Sequence, residues 1–356
     1  MYGYVELSTV AISIAASLAF FMSFFLTLVF SNPLSNFQII DYPNERSLHS
    51  TPVPRTGGLA MCSAIFIVMP IIAVVLKADT SLIAILIGTL VVSAISFLDD
   101  RFTLNASIRL LVHVGVAALL LIAGYSLSVF EMPLWPWEWP VAVGAGFSLL
   151  YIVWLINLYN FMDGMDGFAG GMAVIGFVTF AILGFQADET LYATLCLVIA
   201  ASALGFLIFN FPPAKIFMGD VGSSTLGFLV AVFSLWASRD GIFPLWIAVL
   251  IFSPFIVDAT LTLFRRLIKG EKIWEAHRSH YYQRLVQLGW GHRRTVLWEY
   301  LLMVLCGVSA IVATKINGHL QWALLIIWVM IYSILVFYIN KLEFRHKNCD
   351  HIATKS

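Results

Sequence analysis

Apolar residues run along this chain in blocks of roughly twenty, broken by short polar connections, and that alternation predicts most of its structure. A helix needs about 20 predominantly apolar residues to cross the hydrocarbon of a bilayer, so in that unit the chain gives about eleven candidates. They fall near 7–30, 58–77, 81–98, 107–126, 141–158, 168–186, 190–209, 222–238, 243–263, 296–314 and 320–340. The fifth is the weakest, because Asn157 and Asn160 sit at its end. No repeat of fixed period is evident, which argues against an inverted-repeat transporter. The blocks leave no room for a soluble module, so residues 1–356 read as one all-α, polytopic membrane domain.

The basic residues orient it, because Lys and Arg accumulate in cytoplasmic connections. With the N-terminus outside and the C-terminus cytoplasmic, one side receives Arg46, Arg55, Arg101, Lys215, Arg265, Arg266, Lys269, Lys272, Arg278, Arg284, Arg293, Arg294, Lys341, Arg345, Lys347 and Lys355. The other side receives only Lys77, Arg239 and Lys315, and Arg109 falls inside the fourth block. The outer connection 127–140 carries Trp135, Trp137 and Trp139 instead, as an interfacial aromatic belt would.

Composition agrees with this class. The chain is 60% hydrophobic and 11% charged, with a mean hydropathy of +0.91, whereas soluble domains have about 45–50% apolar and about 25% charged residues. Net charge is zero, which implies no nucleic-acid partner. Cys62, Cys196, Cys306 and Cys349 are scattered without metal-ligand spacing, so no disulfide framework is expected. The stretch before residue 10 lacks the basic start of a signal peptide, so the first apolar block reads as a retained helix.

Against this apolar background the polar clusters stand out, and ionisable groups in or at the edge of a membrane are read as functional by default. Asp99-Asp100 closes the third block, and Asp163 and Asp166 lie in the run Asn157-x-x-Asn160-x-x-Asp163-Gly164-x-Asp166-Gly167. Asp220 follows Pro212-Pro213, which end one helix, and precedes Gly222-Ser223-Ser224 in the first turn of the next. Small residues at a helix N-terminus suit an anion, though Asp is also a favoured plain N-cap. All these clusters fall on the cytoplasmic side, within connections near 31–57, 99–107, 157–168, 210–222 and 264–294. Acidic helix ends with glycines that admit a ligand suggest a magnesium and phosphate site. The last connection adds Glu275-Ala-His277-Arg278-Ser-His280. Positive-inside topology accounts for its lysines and arginines, but phosphate recognition better explains two imidazoles.

These motifs together resemble the polyprenyl-phosphate N-acetylhexosamine-1-phosphate transferases of glycosyltransferase family 4. The resemblance covers nearly the whole chain. It rests on Thr51-Pro52…Gly57-Gly58, Asp99-Asp100, the Asn157–Gly167 run, Phe217-Met-Gly-Asp220-x-Gly-Ser and His277-Arg-x-His280, in that order. It implies transfer of a sugar-1-phosphate from a UDP-N-acetylhexosamine to undecaprenyl phosphate in the bacterial inner membrane, with UMP released. By the same resemblance Asp220 and Asn160 would hold Mg²⁺, with Mn²⁺ as a substitute. Asp99 would deprotonate or orient the lipid phosphate, supported by Asp100, with Asp163 close to the centre. Gly164, Asp166, Asn210 and Phe217 would face the nucleotide. Arg109, His277, Arg278 and His280 would bind phosphates. A homodimer is also implied.

The last loop lacks the run of three histidines of the pentapeptide-transferring branch. It is closer to enzymes that start O-antigen or other surface polysaccharides, on UDP-GlcNAc or a 6-deoxy relative such as UDP-FucNAc or UDP-QuiNAc. A transporter, a scaffold and an inverting glycosyltransferase that releases UDP are the rival classes.

Overall fold

The structure, a computed structural model, describes residues 2–353 apart from 36, 38, 44–47, 49 and 273–276, with side chains described from 10 to 346. Arg46, Glu275, Lys347, Cys349 and Lys355, named above, lie outside the described side chains. In chain order the elements are α1 (Tyr2–Ser31), β1 (Ile40–Asp41), β2 (Val53–Pro54), α2 (Gly57–Val75), α3 (Ser81–Phe102), α4 (Ala106–Ile122), β3 (Val129–Met132), β4 (Trp135–Glu138) and α5 (Val141–Met162). There follow α6 (Phe168–Gln186), α7 (Thr190–Asn210), α8 (Gly219–Arg239), α9 (Leu245–Ile251), α10 (Ser253–Ile268), α11 (Tyr281–Leu285), α12 (Gly291–Ala313) and α13 (Gly318–Ala353).

Each apolar block is helical, but not every block is one straight span. Among the described residues nine helices are long and apolar enough to cross a membrane, and α4, with 17 residues, is shorter. The ninth block is broken into α9 and α10, which meet at 81°. Pro254 explains the break: it lacks the N–H that would bond the Leu250 carbonyl one turn back. The Ser253 hydroxyl donates to that carbonyl instead, at 2.7 Å. Beyond the bend α10 turns polar groups inward, with Asp258, Thr262 and Arg266 buried, while Phe264, Leu267 and Ile268 face outward.

Burial falls on the middle of the bundle. Nearly all of α8 is enclosed, and α6 and α7 are largely so, whereas α13 is mostly exposed along its length. That exposed surface is apolar, as lipid-facing helices require. Glycines bring some helices to backbone contact. A Cβ on Gly58 of α2 would lie 2.3 Å from the Gly222 nitrogen of α8. The outer connection is the two-stranded hairpin β3–β4, register Val129 to Glu138, with Trp135 and Trp137 exposed and Trp139 stacked on Phe130. Cys62, Cys196 and Cys306 are free and buried, as expected for apolar packing.

Candidate active site

Five connections meet at one end of the bundle, and backbone hydrogen bonds fix how. The strap through β2 runs beside the segment before α8: the Phe217 N–H donates to the Pro54 carbonyl at 2.7 Å. In return the Gly57 and Gly58 N–H groups donate to the carbonyls of Phe217 and Met218, at 2.9 and 2.7 Å. These bonds seat the first turn of α8, with Asp220 its second residue. Asp220 is therefore inside the helix and not its N-cap, a position that Met218 takes.

Asp99 and Asp100 occupy the last turns of α3 and have different surroundings. Asp99 accepts from the Leu104 N–H at 2.7 Å and from Arg109 at 2.5 Å. Arg109 also reaches Asp220 at 3.4 Å, so one guanidinium spans the two carboxylates. Asp100 is 5% exposed. It accepts from the Val221 N–H at 3.2 Å and pairs with Arg55, which also donates to the Asp100 carbonyl. Asp100 thereby ties the strap to α8 and is more enclosed than Asp220 beside it.

The Asn160–Gly167 run completes the centre. Helix α5 stops at Met162, and Asp163 to Gly167 form a turn with Gly167 at φ +74°. Asn160 donates to the Ser223 hydroxyl at 3.0 Å and faces Asp220. Asp163 keeps partial solvent access. Desolvation by the surrounding protein, and then the charges of Asp220, Asp100 and Asp166, push its carboxyl well above the usual carboxylate range. Asp166 accepts from the Ala214 N–H at 3.0 Å and faces His292 at 3.1 Å. Gly164 is open to solvent, but a Cβ there would lie 2.3 Å from the Tyr282 hydroxyl.

Asn210 lies at the end of α7 and is enclosed. It is 3% exposed, and both ends of its amide are used internally. The Gly167 N–H donates to it at 2.9 Å, and it donates to the Ile216 carbonyl at 2.9 Å. These two bonds tie the Gly167 turn to the segment before α8 through one buried amide. Phe217 is half-buried, its backbone locked to the strap.

The last connection docks on this turn through α11. The Tyr282 hydroxyl donates to the Phe161 carbonyl at 3.4 Å, and its ring lies 4.7 Å from Phe168. His280 is 2% exposed, with Nδ1 3.0 Å from Asp258. The His277 ring lies tilted beside it, with centroids 4.8 Å apart. Burial, then His280 and Arg266, push the His277 imidazole down to about 4, so it is neutral near pH 7. Arg278 is exposed.

The donor chemistry fits a hard divalent cation. Mg²⁺ takes oxygen ligands, usually one or two carboxylates with substrate phosphates and water making up the rest. Asp220, Asp99 and the Asn160 oxygen supply such donors, with Arg109 the cation that now bridges the two carboxylates. Among the described residues no three His, Cys, Asp or Glu side chains form a closed cluster, so phosphate oxygens and water would complete the shell.

Four residues escaped the sequence reading. Arg55 was counted only for topology, although a lone arginine between Pro54 and Gly57 was a signal. Asp258, a carboxylate inside the 243–263 block, was another. His292 pairs with Asp166. His113 lies one turn along α4 from Arg109 and is 5% exposed, with neither ring nitrogen hydrogen-bonded.

Comparison with known proteins places this arrangement. Residues 82–238, which carry α3 through α8, match the family model described as glycosyl transferase family 4. The chain is 34% identical over 295 residues to a probable undecaprenyl-phosphate N-acetylglucosaminyl 1-phosphate transferase of Bacillus subtilis, covering 82% of this chain and 81% of that protein. It belongs to glycosyl transferase family 4. Within that family it stands among the sugar-1-phosphate transferases. The decaprenyl-phosphate N-acetylglucosaminephosphotransferase of Mycobacterium tuberculosis is 32% identical, over 74% of this chain and 72% of its own. The undecaprenyl-phosphate alpha-N-acetylglucosaminyl 1-phosphate transferase of Escherichia coli is 26% identical, over 85% and 84%. For this family 4 transferase the match spans the acidic helix ends and the strap-bound start of α8 together.

Proposed function

We propose that this transferase moves N-acetylhexosamine-1-phosphate from a UDP-sugar to undecaprenyl phosphate and releases UMP, at the cytoplasmic face of a bacterial inner membrane. The observation that carries the reading is the set of polar groups gathered on Asp220 at one end of the bundle: Arg109 bridges it to Asp99, Asn160 faces it, and its charge reaches Asp163. Two anionic substrates must meet there, and phosphoryl transfer asks mainly for positioning and charge stabilisation. Asp220, Asn160 and Asp99 would hold Mg²⁺, whose charge offsets that of the pyrophosphate. Arg109 balances two of the carboxylates and lies within reach of an arriving phosphate. Asp100 and Arg55 keep the ends of α3 and α8 together. The turn that carries Asp163 borders the same space.

The relatives' names support N-acetylglucosamine as the donor sugar. The His277-Arg-Ser-His280 loop supports a surface-polysaccharide pathway, such as O-antigen, and keeps 6-deoxy donors in the test. Purified protein is incubated with undecaprenyl phosphate, Mg²⁺ and a panel of UDP-N-acetylhexosamines, and the nucleotide product is identified. UMP that depends on the lipid and on the divalent cation is expected, and the best donor names the sugar. Release of UDP would replace the reading with an ordinary glycosyl transfer.

A further inference from the structure

The turn that carries Asp163 is gripped by α12. Gly289 and Gly291, at φ +90° and +70°, lead the chain into α12 through a conformation that favours glycine. This sets His292, the second residue of α12, with Nδ1 3.1 Å from Asp166 Oδ1. With the carboxylate as acceptor, Nδ1 carries the proton. The other oxygen, Oδ2, accepts from the Ala214 N–H at 3.0 Å. Further along α12 the Tyr300 hydroxyl donates to the Gly167 carbonyl at 2.6 Å. Gly171 makes room for that ring, since a Cβ there would lie 2.0 Å from it. Asp166 is therefore held on each oxygen by a separate donor. It stands between the turn of Asp163 and the segment that leads through Phe217 to Asp220, and its charge reaches the Asp163 carboxyl. The pair is not sealed, because the Asp166 side chain keeps 12% exposure and that of His292 19%. The two donors use two of the roughly four acceptor sites of a carboxylate.

We propose that His292 is a positioning residue for nucleotide binding: by holding Oδ1 it sets the orientation in which Asp166 meets the nucleotide of the UDP-sugar. The proposal rests on the transferase reading above, with Asp166 on the nucleotide side, and adds a residue that works through Asp166. Without the His292 donor the carboxylate keeps one anchor, the Ala214 N–H, and is free to swivel about it. A swivelling group has to be ordered when the nucleotide arrives, and that ordering weakens binding. The groups on Asp220 are held by Arg109 and Asn160 instead. The loss therefore falls on nucleotide affinity and leaves turnover at saturation nearly unchanged.

The test titrates UMP and UDP-N-acetylglucosamine, each with Mg²⁺, calorimetrically into the full-length protein in detergent. His292→Leu should weaken both about tenfold or more, as loss of a hydrogen bond to a charged group does. In turnover its KM for the UDP-sugar should rise by the same factor, with kcat within a few-fold of wild type. His292→Asn is the rescue, because its amide nitrogen stands as many bonds from Cα as Nδ1 does, and it should bind almost as wild type. Should His292→Leu fail to fold, His292→Gln carries the same expectation, since it stays polar but sets its amide one bond further out. Tyr300→Phe removes the neighbouring bond from α12 to the turn and leaves the Asp166 carboxylate alone, so it should change affinity little. In an Asp166→Asn background His292→Leu should add little. Equal losses in His292→Leu and Tyr300→Phe would mean that α12 merely docks on the turn. That result, or a loss confined to kcat, would overturn the proposal. Normal nucleotide binding by wild type and His292→Leu alike would overturn it alone, whereas a wild type that binds neither ligand would overturn the transferase reading and this proposal with it.

Discussion

At the scale of single residues, chemical type alone does not separate polar groups that read alike in the sequence; what each side chain binds does. Asp99, Asp100 and Asp220 look alike in the sequence, yet Asp100 is closed off by Arg55 and the Val221 N–H, while Arg109 joins the other two. Asn210 shows the same lesson and gives a prediction. Asn210→Leu would strip a partner from the Gly167 N–H and from the Ile216 carbonyl, both at 2.9 Å. A buried group left unsatisfied costs roughly 1–3 kcal/mol. The variant should therefore unfold at clearly lower denaturant or temperature, and its surviving folded fraction should keep a near-normal KM for the UDP-sugar. A nucleotide contact would give the reverse, a raised KM at unchanged stability. Unfolding midpoints and KM measured on one preparation distinguish the two.

At the scale of elements, periodicity and charge were enough to find every long apolar helix, though not the short α11, because bilayer thickness fixes span length and loop charge fixes direction. The break between α9 and α10 was written in Pro254 but masked by the unbroken apolar block around it. The hairpin β3–β4 was also masked, since exposed tryptophans suit a loop at the interface as well as a strand. The site was legible as motifs, and the strap was not legible as a clamp, because the bonds from Gly57 and Gly58 to Phe217 and Met218 join segments far apart in sequence. Those glycines are needed for close approach. A Cβ on Gly58 would lie 2.3 Å from the Gly222 nitrogen and 2.5 Å from the Met218 carbonyl oxygen, backbone atoms that cannot swing aside. Gly58→Ala should push the first turn of α8 off the strap and displace Asp220. Overpacking of this kind costs about 1–3 kcal/mol, and activity should fall by more than stability does. Wild-type turnover in Gly58→Ala would mean that α2 and α8 can part without moving the site.

At the scale of the whole molecule, every connection that contributes to the site emerges at one end of the bundle, and the hairpin with its tryptophans emerges at the other. Consecutive spans alternate in direction, so the end that holds Asp99, Asp163 and Asp220 is also the end that holds most of the basic residues. Positive-inside bias then predicts that the acidic centre faces the cytoplasm, as the proposed UDP-sugar donor requires. This is a claim about sidedness that chemistry at the site cannot test, but labelling can. Cys62, Cys196 and Cys306 are buried, so a Cys349→Ser background should react little with a membrane-impermeant maleimide. Lys215, exposed between α7 and α8, and Trp137, 65% exposed on the hairpin, mark the two ends. A cysteine introduced at 215 should label in inverted inner-membrane vesicles and stay silent in intact spheroplasts, and one at 137 should do the opposite. Labelling of both positions from the same side would break the alternation itself. A clean reversal would keep the fold and turn the site outward, away from nucleotide sugars, and the proposed donor would then have to be abandoned.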